Sequence, residues 1–122
     1  MTMIEPFATE SPLLLCAVED LPLGLGRAFE IAGRCIAVFR TRKGEFFAVD
    51  NKCPHKGGPL SEGMLARDSS GTPQVVCPLH QFRFAANTGE CDQPGTCPVA
   101  TYPVFQREGN VYIKLSSDST QN

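Results

Sequence analysis

Two short segments hold the side chains best suited to chemistry: Cys53-Pro54-His55 and Cys77-Pro78-Leu79-His80. Each opens with a thiol and closes with an imidazole, and both histidines of the chain fall in them. Thiolate and imidazole bind iron and zinc well near neutral pH, and a C-x-H or C-x-x-H spacing lets two side chains converge on one centre from a tight turn. Proline in each turn stiffens the backbone that aims them. The bland alternative, buried cysteines and stray histidines scattered over loops, does not account for every histidine standing beside such a cysteine.

Two metal chemistries fit this ligand set. A structural zinc site takes two cysteines and two histidines, but zinc fingers of that composition pair like with like along the sequence, whereas each pair here mixes the two. A two-iron, two-sulfide cluster in which cysteines hold one iron and histidines the other needs one ligand of each kind from each loop, and mixed pairs supply that. With both histidines spent, no Ser-His-Asp or Cys-His constellation remains for separate catalysis.

The elements that must position these loops read as strands. Glycines, prolines and polar pairs punctuate the chain, and the apolar runs between them are too short for ordinary helices, so the class is all-β. Residues 13–18 form a first strand; 27–31 pair with 34–40 across Ala32-Gly33; 45–50 follow the turn Thr41-Arg42-Lys43-Gly44. Residues 102–107 and 111–115 alternate apolar and polar residues around a three-residue hairpin loop, Glu108-Gly109-Asn110. Residues 51–99 hold most of the prolines and only brief strand signals at 74–77 and 81–85. A long loop-rich segment of this kind requires something else to hold it, such as a metal.

The 122 residues form one domain, 1–122, with a core over about 13–115, a cluster-binding subdomain over about 51–99, and flexible tails at 1–12 and 116–122. A net charge of -2 and a pI near 5.6 offer no basic field for nucleic acid, so the expected partner is a protein. No run approaches the roughly 20 apolar residues of a membrane span, and the chain reads as cytoplasmic. Cys16 and Cys35 lie in strand patterns and are expected to be buried packing residues. Cys91 and Cys97 admit a disulfide, a second metal or free thiols, and free thiols suit a reducing compartment.

Cys53-Pro-His-Lys-Gly-Gly-Pro-Leu60 and Cys77-Pro-Leu-His-Gln-Phe-Arg-Phe84 resemble the two cluster-binding boxes of the Rieske family. The resemblance extends to Gly26-Arg-Ala-Phe-Glu-Ile-Ala-Gly33, Ile36-Ala-Val-Phe-Arg40 and Asn87-Thr-Gly-Glu90. It implies three stacked antiparallel sheets with a 2Fe-2S cluster held at one tip by Cys53, His55, Cys77 and His80, the histidines near the surface. It also implies an electron carrier, and the expected role is the small subunit of an NAD(P)H nitrite reductase or a closely similar ferredoxin. Alternatives are a diffusible ferredoxin of a ring-hydroxylating dioxygenase system, or a zinc-stabilised or redox-sensing interaction module. The partners implied are a flavoprotein reductase, a large reductase subunit or a terminal oxygenase.

Two departures from the high-potential members of that family carry weight. Gly58 and Leu79 stand where those members have bridging cysteines, so no disulfide clamps the loops. Phe82 and Phe84 stand where they have hydroxyl donors, which predicts a potential toward the low end of the Rieske range of roughly −150 to +300 mV. Gly57, Gly58 and Gly89 serve turns or let backbone N–H groups approach sulfide. Lys52, Lys56 and Arg83 place positive charge around the tip, suited to an acidic partner.

Overall fold

The computed structural model describes residues 12–52, 59–78, 82–92 and 98–115. Ten strands make three antiparallel sheets, as expected. Strands β2 (Gly26–Ile31), β3 (Arg34–Arg40), β4 (Phe46–Asp50) and β8 (Thr101–Tyr102) form the central sheet in that order. Strands β1 (Leu13–Ala17), β10 (Asn110–Ile113) and β9 (Val104–Arg107) form a base sheet. Strands β5 (Met64–Arg67), β6 (Pro73–Val76) and β7 (Arg83–Ala85) form the third, within the loop-rich segment.

The central sheet is covered on both faces, which is why β3 carries four consecutive buried residues, Ile36 to Phe39. Ile36 and Val38 point toward Val111 and Ile113 of the base sheet. Ala37 and Phe39 point the other way, into a second cluster with Leu60, Val75, Cys77 and Phe84. Side chains alternate along a strand, so one apolar run feeds two cores.

Three sequence expectations need correction. Residues 102–107 are not one strand: Pro103 has no N–H for a ladder, so Tyr102 pairs with Ala48 in the central sheet and the chain resumes at Val104 in the base sheet. The final hairpin turns on two residues, Glu108 (φ 52) and Gly109 (φ 83), and Asn110 already pairs with Arg107. This is the positive-φ pair that matches the twist of antiparallel strands. Strand β5 was not anticipated; it joins β6 through a turn in which Asp68 Oδ1 accepts from the backbone N–H of Ser70 and Thr72.

The third sheet is strapped to the central one away from the ligand loops. Arg67 donates to Glu45 Oε1 at 2.7 Å, and the same carboxylate oxygen accepts from the Thr41 hydroxyl at 2.8 Å. These bonds to the charged form hold the Glu45 carboxyl below the usual glutamate range, the Arg67 guanidinium contributing most. Among the described residues, no helix is long and apolar enough to cross a membrane.

Candidate metal centre

Of the four sequence-predicted ligands, Cys77 lies among the described residues; Cys53, His55 and His80 do not, and neither do Lys56, Gly57, Gly58 and Cys97. Cys77 follows the last residue of β6, fully buried and without a disulfide partner. Its backbone N–H donates to the Phe82 carbonyl at 2.8 Å, closing a neck around residues 78–81. A second neck closes residues 53–58, where Lys52 pairs with Pro59 in a single antiparallel bridge and Leu60 N–H donates to the Asn51 carbonyl at 2.7 Å.

The two necks are neighbours. Leu60, just past the first, and Cys77, at the start of the second, belong to one apolar cluster with Val75, Phe84 and Val99. Between them, Gly63 ends the 3₁₀ turn Leu60–Glu62 so close to β6 that a Cβ there would overlap the Val76 carbonyl oxygen. A second close approach joins the far side. Gly89 has φ +81, a Cβ there would overlap the Val99 carbonyl, and Val99 N–H donates to the Gly89 carbonyl at 2.8 Å.

This arrangement fits a two-iron cluster. A soft sulfur donor stands buried in an apolar cluster, and the segments bearing the mixed Cys/His pairs begin at adjacent closed necks. Phe84 is fully buried and half-buried Phe82 packs on the same cluster, so hydrocarbon occupies the positions where high-potential relatives place hydroxyl donors. Beside Cys77 a cavity of about 410 Å³ opens, lined by Met64, Val76, Pro78 and Arg83 among others. Among the described residues no group of three or more histidine, cysteine, aspartate or glutamate side chains gathers as a second metal site.

The spare cysteines divide. Cys16 is half-buried against the base-sheet core, and that burial raises its thiol pKa above the ordinary value. Cys35, expected in a core, is exposed. It shares a strand face with Ala37 and Phe39 but lies at the sheet's end, and its sulfur accepts a hydrogen bond from Asn51 Nδ2 at 3.3 Å. Asn51 escaped the sequence reading; the signal available was an asparagine, the usual side chain for bonding a nearby backbone, two residues before a ligand.

The sequence of the chain matches the Rieske-like 2Fe-2S domain over residues 13–114. The protein belongs to this family: it is a Rieske-type electron-transfer protein whose cofactor is a 2Fe-2S cluster. It is 42% identical over 109 residues to the 3-phenylpropionate/cinnamic acid dioxygenase ferredoxin subunit of Photorhabdus laumondii, covering 88% of this chain and 98% of that one. In fold it is similar to the putative NADH-dependent nitrite reductase small subunit of Mycobacterium tuberculosis, with TM-score 0.81 and 28% identity over 89% of this chain and 98% of that one. It is also similar to the ferredoxin in a complex of reduced oxygenase and oxidised ferredoxin of carbazole 1,9a-dioxygenase. There the TM-score is 0.68 and the identity 33%, over 83% of this chain and 99% of that one.

Proposed function

We propose that this protein is the ferredoxin component of a ring-hydroxylating dioxygenase system, taking single electrons from a flavoprotein reductase and delivering them to a terminal oxygenase. The observation that carries this reading is the 42% identity, over nearly the full length of both chains, to a dioxygenase ferredoxin subunit. The sequence alone leaned toward the nitrite reductase small subunit; the likeness to that class is in fold, at lower sequence identity.

In this reading Cys53 and Cys77 would hold one iron and His55 and His80 the other. When bound, the cluster supplies one-electron redox chemistry without an open coordination position for substrate. The chain's own part is to hold and shield. Leu60, Val75 and Phe84 pack around buried Cys77, and the closed necks hold Lys52 beside Pro59 and Cys77 beside Phe82. Around the cavity beside Cys77, 70% exposed Met64 and exposed Pro78 offer apolar contact, with exposed Arg83 and Glu62 on the same rim. A small apolar spot with charge of both signs at its rim suits brief docking on a protein partner. Cys16 and Cys35, which form no disulfide, suit a reducing cytoplasm.

The test is reconstitution. Purified protein carrying two irons and two sulfides, with a rhombic electron paramagnetic resonance signal after dithionite, is added to a phenylpropionate-type oxygenase and its reductase. Product formation that requires this chain supports the assignment. A stable complex with a nitrite reductase large subunit, and no turnover with the oxygenase, overturns it in favour of the second reading.

A further inference from the structure

Asn51 makes four hydrogen bonds where β4 gives way to the first ligand loop. Its backbone N–H donates to the Cys35 carbonyl at 2.9 Å, and its own carbonyl accepts from Leu60 N–H at 2.7 Å. Its side chain continues both connections: Oδ1 accepts from Ser61 N–H at 2.7 Å, and Nδ2 donates to Cys35 Sγ at 3.3 Å. One residue thereby joins the residue entering the loop, the 3₁₀ turn leaving it, and the end of a central strand. Ser61 lies inside that short turn, whose first N–H groups have no partner within it. The amide side chain can serve both neighbours because it carries an acceptor and a donor; aspartate would keep only the acceptor, and alanine neither.

We propose that Asn51 is a positioning residue for the cluster: its side chain fixes the relation between Lys52 and the Pro59–Ser61 turn, the two ends between which the chain supplies Cys53 and His55. This rests on the assignment of Cys53 and His55 as ligands. Leu60, packed on the apolar cluster that contains Cys77, ties the same neck to the second ligand loop, so a shift at Asn51 changes the relation between the two loops. One residue upstream, Asp50 Oδ1 accepts from the Tyr102 hydroxyl at 2.6 Å, which holds the end of β4 to β8; the side chain of Asn51 is the one that reaches forward to the turn after the loop, and the Arg67 to Glu45 bridge lies at the opposite end of β5.

The test compares the loaded wild-type protein with Asn51→Ala, Asn51→Asp and Cys35→Ala. The readouts are cluster release to a chelator, g values of the reduced state, midpoint potential, and thermal unfolding of each protein. Asn51→Ala is expected to release the cluster about 10-fold faster, the lower end of what outer-shell partners of metal ligands control, and to shift both g values and potential. Asn51→Asp, keeping the bond to Ser61, should recover most of the retention, and Cys35→Ala should have the smallest effect. If Asn51→Ala lowers only the unfolding temperature and leaves release rate, g values and potential at wild-type values, the side chain is an ordinary turn bond and the proposal fails. His55→Ala serves as the separate control: an unchanged spectrum there refutes the ligand assignment itself.

Discussion

The two necks that present the ligand loops draw on polar bonds and on burial in different measure. The first, between Lys52 and Pro59, is held mainly by polar bonds converging on half-buried Asn51. The second, between Cys77 and Phe82, continues the β6–β7 ladder through the bond from Cys77 N–H to the Phe82 carbonyl and rests on burial, with Cys77 and Phe84 inaccessible to solvent. Polar bonds specify direction while contributing modestly to net stability, whereas apolar burial contributes more and specifies direction less. The pairing therefore gives one loop an oriented base and the other an anchored one.

The contrast can be broken most completely at the anchored side. Cys77→Ala is expected to abolish the cluster, read as loss of the rhombic resonance signal and of two irons per chain. His80→Cys and His55→Cys should each change the spectrum strongly, while Cys91→Ser should leave it intact. Next in size is Phe84→Ala, which opens a cavity beside the ligand and should cost about 3–5 kcal/mol in denaturant unfolding.

A change that acts on both necks at once is Gly63→Ala, which forces the 3₁₀ turn away from the Val76 carbonyl. About 1–3 kcal/mol of destabilisation is expected, as for other overpacked sites, together with faster cluster release. The smallest effect belongs to the strap remote from both. Arg67 and Glu45 are 31% and 41% exposed at their side chains, so their bridge contributes under about 1 kcal/mol. Because the folded protein depresses the Glu45 pKa, that contribution is present above the ordinary glutamate value of about 4.3 and fades as pH falls through the folded value. Glu45→Gln should flatten this acid limb of the stability curve and leave the spectrum unchanged.

Much of this architecture was legible because strand signals are local. The Ala32-Gly33 hairpin follows from its turn residues and flanking apolar pattern, and the mixed cysteine and histidine pairs announce their chemistry by type and spacing. What escaped notice depends on partners distant in sequence. Tyr102 belongs to a different sheet from Val104 because Ala48 stands ready to pair with it, and Cys35 stands exposed near the start of β3, where its sulfur meets Asn51. Asn51 went unnoticed, since its bonds to Cys35 and Ser61 bring together positions that the sequence keeps apart.

The point where the cluster-bearing segment leaves and rejoins the central sheet has a consequence for how such proteins diversify. Val49 pairs with Thr101, and Asp50 N–H donates to the Ala100 carbonyl at 2.9 Å, so exit and return lie side by side. Everything between them hangs from one doorway in the sheet, and closing a longer or shorter excursion there adds little entropic cost, about 0.6 kcal/mol per doubling of length. Evolution can therefore lengthen, trim or recast the metal-bearing cassette while the seven strands behind it keep their pairings, provided some apolar lid still covers Ala37, Phe39 and Val49.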